Sequence, residues 1–530
     1  MSARLRVVAI ADADSFVKWS ASLLSGVDGI RRHLLLVTTP LTVSREQERT
    51  ALAGTSFTDA EVTRLSFDEV RGWLAGHEPD AVVLAGRGPF VRLLGGVIDR
   101  LERRPVVIGG LPGMSIPAQC GALDYRRYCD LLVLHSHREK RAFAELGRRI
   151  GLDVPLALAT LPYAVEPRRA GVPDEVLEHR AASRRSLAEH GAAAPHPLVE
   201  RRAAAPRSLA EHRATAPRSL VERRAERGVE TRPAPHADLA PAADTRHATG
   251  TATAVLTRPS ATPSATPPAT PPPTRHPQAN DLVFAAQAMV PAQRHERAAI
   301  ADILIRAAKA DPRRRVVVKL RSRPGETETH LERDTYVDLL TNRPPNLVFS
   351  YQPMTVALER AQGLVTLSST AAIEALALGV PVIALDTFGV HKSLLNTVFI
   401  GSGLLGGAEE VIRRRFRHPH PGWLWDNYFH PASESTWWED VEDLIARRRA
   451  GELPARPVPA ARGGRLHAAW HRKSVLGSAD RSVAGAVALA VGTPLVRGIL
   501  SRRRALADTW SETGTDYTLE PTPHVDPIRR

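Results

Sequence analysis

The sequence predicts an α/β chain built from two parallel-sheet units, with a long insert between them that belongs to neither. Three observations lead to this class. Short apolar runs alternate with amphipathic helical stretches over residues 1–170, and the alternation returns over 281–450. Strands alternating with helices imply right-handed crossovers and parallel sheets. Between these regions, over 175–279, the composition turns abruptly to arginine, alanine and proline, and the 530-residue length is more than one core supports.

In the first unit, strands are expected at 6–10, 33–37, 81–85, 106–109, 131–134 and 156–159. They are rich in Val, Leu and Ile, as strands covered on both faces tend to be. Amphipathic helices are expected at 67–75 and 138–149, which makes residues 1–170 a Rossmann-like domain. In the insert, Leu187, Leu198, Leu209 and Leu220 recur every eleven residues, a period that a slightly right-handed coil of helices could use. Pro195, Pro197, Pro206 and Pro217 interrupt the units, however, and one leucine per unit buries little. The stretch then passes into TPSATPPATPPPT, which cannot repay its ordering entropy. Residues 175–279 are therefore expected to be disordered and to take no part in chemistry.

The second unit is expected to place strands at 282–285, 316–320, 347–350, 364–367 and 380–385. Helices are expected at 292–310, 331–340, 409–416 and 437–449. Residues 451–530 read as a basic tail with one apolar stretch, 482–496. Fifteen residues is short of the roughly 20 that cross a bilayer. A packed helix is the preferred reading, with peripheral membrane contact aided by Arg502, Arg503 and Arg504 as the alternative.

The formal charge is +14 and the isoelectric point about 10.4. Taken alone, this balance would suggest nucleic-acid binding. Its placement argues otherwise, because 175–280 carries fifteen arginines against ten acids, and 451–530 carries twelve basic residues against seven acids. Ten of the fourteen charges thus fall outside the two sheet-forming regions, so no nucleic-acid partner is expected. Two cysteines, Cys120 and Cys129, are too few for a disulfide scaffold or a structural zinc site. The opening MSARLRVVAIADAD enters a strand at once, so no signal peptide is expected and the cytoplasm is the expected compartment.

The most informative stretch is 363–386, GLVTLSSTAAIEALALGVPVIALD. Ser368, Ser369 and Thr370 fall where a helix starts, and their hydroxyls suit either a plain cap or a phosphate. Glu374, one turn after Thr370, is placed to take both hydroxyls of a ribose. Open α/β sheets bind ligands beyond the carboxyl ends of their strands, so each further candidate is judged by whether it follows a strand. Lys319, Arg321 and Arg323 do so, and would neutralise a diphosphate unless they merely face water. Asp386, His391 and Lys392 follow the strand ending at Leu385, within reach of a sugar or its phosphates. Asp12 and Asp14 follow the first strand. Asp14 is the preferred general base and Asp12 the second, against the alternative that both are turn or cap residues. Gly110, Pro112 and Gly113 lie in a flexible loop suited to an acceptor. His418, His420 and His430 lack metal-ligand spacing, so no metal is expected.

The 363–386 segment resembles the donor site of GT-B glycosyltransferases, in which two Rossmann-like domains face each other across a cleft. In those enzymes a Ser/Thr turn holds the nucleotide phosphates, and a Glu a few residues on holds the ribose. The likeness covers residues 4–165 and 281–450. Among GT-B enzymes the chain is similar to sialyl-, polysialyl- and capsule-type transferases with an S-S/T motif, and to uncharacterised glycosyltransferases of high-GC bacteria. One departure is that Arg323-Pro324 stands where polysialyltransferase-like enzymes carry His-Pro, which argues against a CMP-sugar donor. The resemblance implies a metal-independent transferase with a nucleotide-sugar as substrate and no other cofactor. A nucleotide-sugar 2-epimerase, or a non-catalytic scaffold binding an anionic partner, shares the architecture.

Overall fold

Strands that are apolar on both faces form the centres of two sheets, because only a layer of helices on each side can keep such runs from water. The computed structural model describes residues 4–41, 43–161, 279–288, 290–320, 334–460 and 464–492. The expected disordered insert at 175–279 lies outside the described residues but for its last one, as do Arg321 and Arg323. All the described residues belong to one compact unit, drawn from 1–168 and 272–530.

The first sheet comprises β1 (Arg6–Ala11), β2 (Arg31–Val37), β3 (Val62–Leu65), β4 (Ala81–Ala85), β5 (Val106–Gly110), β6 (Leu131–Leu134) and β7 (Leu156–Leu158). Its order is β3-β2-β1-β4-β5-β6-β7, and every pairing is parallel. Around it lie α1 (Asp14–Ser25), α2 (Arg45–Leu52), α3 (Val70–His77), α4 (Gly88–Ile98), α5 (Cys120–Asp124) and α6 (His137–Ile150). The edge strand β3, VTRL, was not expected. All four of its residues are only half-buried, so it lacks the apolar run that marks the others.

The second sheet comprises β8 (Asp281–Ala285), β9 (Val316–Lys319), β10 (Leu347–Ser350), β11 (Ala361–Thr366), β12 (Val382–Leu385) and β13 (Leu405–Gly406), in the order β10-β9-β8-β11-β12-β13. Its helices are α7 (Arg294–Ala310), α8 (Tyr336–Leu339), α9 (Met354–Glu359), α10 (Ala371–Ala377), α11 (Ala408–Ile412) and α12 (Pro421–Asp426). This parallel order repeats that of the first six strands in the other sheet. In both, the direction of winding reverses once, between β1 and β4 and between β8 and β11, and such switch points are where open α/β sheets take ligands. The chain therefore has the two-domain GT-B architecture.

Two helices differ from expectation for identifiable reasons. The stretch expected to be helical to 416 stops at Ile412, because Arg414 takes a left-handed φ of 53°. There its guanidinium donates to the carbonyls of Asn280 at 2.8 Å and Arg315 at 3.2 Å, so tertiary hydrogen bonding overrides helix continuation. The helix expected over 331–340 is described only as Tyr336–Leu339, with Thr335 Oγ1 accepting from the Asp338 amide. Residues 331–333 lie outside the described residues.

The end of the chain returns to the first sheet. Trp437, Val441, Leu444 and Ile445 of α13 (Trp437–Arg449) join Val7, Val83 and Ile108 in one apolar cluster. Val475 and Leu476 of α14 (Gly464–Leu476) join Val8, Val82 and Leu94 on the opposite face. By packing, α13 thus belongs with the first domain, although its position in the chain falls in 281–450. The two sheets are further tied by α6. The buried Arg138 donates to the carbonyls of Val398 at 2.8 Å and Thr397 at 3.1 Å, and Arg141 pairs with Asp426 at 2.7 Å.

Candidate functional site at the facing strand ends

β1 ends at Ala11 and delivers Asp12 and Asp14 into the turn that opens α1. Asp12 is buried, and its Oδ2 takes the guanidinium of Arg87 at 3.2 Å, from the turn after β4. Burial raises its pKa above the usual carboxylate range, and the Arg87 charge only partly offsets this. Its other oxygen, Oδ1, has no hydrogen-bond partner among the described residues, an arrangement that costs stability in a static protein. Asp14, half-buried, is the first residue of α1. One turn on, Lys18 points to the second sheet.

The floor of this half is set by aromatic packing. Trp19 is fully buried and its indole N–H donates to His135 Nε2 at 2.7 Å, while His135 Nδ1–H donates to the Ala159 carbonyl at 2.9 Å. With both nitrogens engaged in a dry site, the imidazole pKa falls to about 4, burial being the main cause. Gly110, the last residue of β5, lies against the same ring. A Cβ there would stand 2.1 Å from Trp19 Cη2, so glycine is required for close approach rather than for flexibility. Gly113 does use its freedom, with φ at 143°. The loop holding Gly110, Pro112 and Gly113 is anchored by Glu139, which accepts from the Ser115 amide at 2.7 Å and the His135 amide at 2.9 Å. The Tyr428 hydroxyl also donates to Glu139, at 2.7 Å. Burial pushes the Glu139 carboxyl up to about 6 despite these donors.

On the second sheet, Gln287 follows β8 and Ser368 follows β11, on either side of the switch point. The Gln287 carboxamide accepts from the Ser368 amide at 3.0 Å and donates to its hydroxyl at 3.2 Å. The Ser369 amide donates to Thr366 Oγ1 at 3.1 Å, and Ser369 Oγ accepts from the Ala371 amide at 3.2 Å. Thr370 is the N-cap residue but makes no side-chain cap bond. The helix it opens, α10, spans only seven residues, so side chains matter more here than any helix dipole. Glu374 lies in its first turn, and its Oε1 meets Lys18 Nζ at 3.0 Å. This ion pair joins the helix after β1 to the helix after β11.

Lys319 closes β9, is buried, and donates to the Leu320 carbonyl. Asp386 follows β12 and lies against the turn after β13, with its amide donating to the Gly406 carbonyl at 3.2 Å. His391 is held within its own loop. Its Nε2–H donates to the Phe388 carbonyl at 3.1 Å and Nδ1 accepts from the Ser393 hydroxyl. Asn396, buried, braces this loop through bonds to the Gly389 carbonyl at 2.9 Å and the His391 amide at 3.1 Å. Lys392 begins the adjoining turn. His420 and His430 serve local contacts, to the Gly422 amide and the Pro431 carbonyl. Among the described residues, no group of three or more His, Cys, Asp or Glu side chains is arranged to hold a metal. A surface cavity lined by Thr341, Arg343 and Phe349 lies at the amino-terminal side of β10, away from these strand ends.

Sequence reasoning missed Lys18, Arg87, Gln287, Asn396 and Glu139. Two of them carry a readable signal: Lys18 is one helical turn from Asp14, and Gln287 stands two residues past a buried strand.

Residues 7–240 and 236–444 match the family described as "Putative glycosyltransferase (DUF6716)". No curated protein sequence matches the chain. Similar solved structures include the UDP-GlcNAc 2-epimerase of Methanocaldococcus jannaschii in complex with UDP-GlcNAc and UDP, 11% identical, covering 83% of this chain and 99% of that one, with a TM-score of 0.45. The Neisseria meningitidis UDP-GlcNAc 2-epimerase bound to UDP-GlcNAc is 9% identical over 83% and 99%, with a TM-score of 0.41. A UDP-glucosyltransferase from Polygonum tinctorium is 11% identical over 86% and 97%, with a TM-score of 0.36.

Proposed function

The chain belongs to the glycosyltransferase family DUF6716, and from that premise we propose that it moves a sugar from a nucleotide-sugar donor to a cell-envelope or secondary-metabolite acceptor without a metal. The observation that carries the reading is the Lys18–Glu374 ion pair at 3.0 Å, which brings the strand-end residues of the two sheets to one place. A donor held on the second sheet and an acceptor held on the first would meet there.

In this reading Glu374 binds the ribose diol. Ser368, Ser369 and Thr370, with Lys319, Lys392 and the cations Arg321 and Arg323 beyond the described residues, receive the phosphates. Asp386 and His391 line the sugar end. Because a ribose diol takes up both carboxylate oxygens, nucleotide entry turns Lys18 from Glu374 toward the diphosphate. The loop carrying Gly110, Pro112 and Gly113 contacts the acceptor. Asp14 accepts the proton of the acceptor hydroxyl as that oxygen attacks the anomeric carbon. The bond from that carbon to the nucleotide oxygen breaks, and the departing phosphate keeps the electron pair, its charge met by nearby cations. Asp12 supports the turn through Arg87 and serves as base only if Asp14 does not.

No single helix among the described residues is long and apolar enough to cross a membrane. We place the enzyme in the cytoplasm, in keeping with its two free cysteines. The test is a panel of nucleotide sugars, scored by thermal stabilisation and by hydrolysis of the donor. The correct donor raises the melting temperature by mass action and is slowly hydrolysed. A panel that produces neither response removes the enzymatic reading.

A further inference from the structure

Seven large apolar side chains stand exposed among the described residues, and four of them, Leu466, Val483, Val487 and Val491, fall within residues 464–492. The three valines are 78%, 53% and 62% exposed and repeat every four residues on α15 (Val483–Gly492), so they form one stripe. Every residue of that helix is Val, Ala, Gly or Leu. Its other face is seated. Ala488 is buried, a Cβ on Gly485 would lie 2.6 Å from Asp480 Oδ2, and one on Gly492 would lie 2.8 Å from Trp470 Cδ1. α14 is in turn rooted in the first sheet's core by Val475 and Leu476. The helix is thus fixed by one side and presents an apolar side outward, which in a purely water-facing element has no function.

Charge identifies the occupant. The only acid in 464–492 is Asp480, buried and tied to Arg472 and to the Ser482 hydroxyl. Arg465, beside Leu466, and Arg481, two residues before Val483, are both exposed. A second copy using the same face would set positive charge against positive charge. Directly after it in sequence, Arg497, Arg502, Arg503 and Arg504 add four charges of the same sign, while residues 505–530 carry five acids against two arginines. A surface that is apolar inside and anionic at its rim complements both features. The two helices bend by 111° at their junction, which suits lying along such a surface rather than crossing it.

We propose that α14 and α15 form a docking surface for an anionic lipid bilayer, with Leu466, Val483, Val487 and Val491 entering the interface and Arg465 and Arg481 meeting the headgroups. The proposal does not depend on sugar transfer, and its failure leaves the nucleotide reading untouched.

The test is co-sedimentation of the full chain with vesicles of phosphatidylcholine alone and of phosphatidylcholine with phosphatidylglycerol. The protein should pellet with the anionic vesicles and release in high salt. Val483→Ser, Val487→Ser and Val491→Ser combined should weaken partitioning at least about tenfold, since each removes apolar burial at the interface. Arg465→Gln with Arg481→Gln should weaken it on the order of 25-fold, about fivefold per arginine. Because all five positions are exposed, melting temperatures should stay at the wild-type value, which separates lost docking from lost folding. The proposal is overturned by absent binding to anionic vesicles. It is equally overturned if the triple serine variant binds unchanged, which would assign the contact to the arginines beyond 492, or if that variant instead dissociates a dimer, which would assign the stripe to a second copy.

Discussion

Replacing Lys18 should affect nucleosides and nucleoside diphosphates in opposite directions. Lys18 Nζ and Glu374 Oε1 are 3.0 Å apart, with side chains 40% and 13% exposed. At an effective dielectric of about 20, two unit charges at this range attract by several kcal/mol. Solvent around the half-exposed lysine and its lost side-chain freedom reduce the net coupling to about 1 kcal/mol, or roughly fivefold in an equilibrium constant. If Glu374 takes the ribose, Lys18 competes with a bare nucleoside and assists a diphosphate. Lys18→Met should therefore tighten nucleoside binding by up to about fivefold and weaken diphosphate binding by a similar factor or more. Glu374→Ala should weaken both about tenfold, the loss expected for a charged group hydrogen-bonding a diol. The assay is titration calorimetry with whichever base stabilises the protein most, alongside a denaturant double-mutant cycle for the pair itself. If folded Glu374→Ala binds nucleoside and diphosphate like the wild type, the ribose assignment is wrong. If Lys18→Met weakens both ligands alike, the exchange of partners is wrong.

Three further outcomes follow from the same geometry. Asp14→Asn should leave donor binding intact and remove turnover, and Asp12→Asn should act on the melting temperature rather than on turnover, raising it because burial disfavours the Asp12 charge by more than the partly exposed Arg87 offsets; full activity in Asp14→Asn overturns the base assignment. Gly110→Ala should cost about 1–3 kcal/mol, since its Cβ would fall 2.1 Å from the Trp19 ring, and should shift tryptophan fluorescence; a melting temperature equal to wild type would show that the ring yields freely. His135, with its pKa lowered to about 4, binds fewer protons folded than unfolded between there and pH 6.5. Its contribution is therefore whole above pH 6.5 and lost as the pH falls toward 4, up to about 3 kcal/mol. Glu139, raised to about 6, acts in the opposite sense between pH 4.5 and 6 and offsets part of this slope. Denaturant midpoints across that range should fall more steeply with acid in wild type than in His135→Gln, and parallel curves would refute the assignment.

The sheets were legible because their strands need no context. AVVLA at β4 and VVVK at β9 are buried on all sides, and such runs have few other uses. β3 was not legible, since an edge strand of half-buried VTRL carries no apolar pattern. The same distinction separates the site residues found from those missed. Ser368 to Thr370 announce themselves by standing between a strand and a helix, a relation contained in some twenty consecutive residues. Lys18 and Glu374 are 356 residues apart in sequence, and only the closure of two sheets makes them partners. Glu139 shows the stronger form of this limit. As a carboxylate near the start of an amphipathic helix it reads as a solvated first-turn acid, yet it is buried because Ser115, His135 and Tyr428 converge on it from three separate segments. A local pattern states which groups a strand end offers. Which of them meets a charge, a ring or a ligand is decided by the second sheet, so the chemistry of a site shared by two domains is readable only to the extent that each half is.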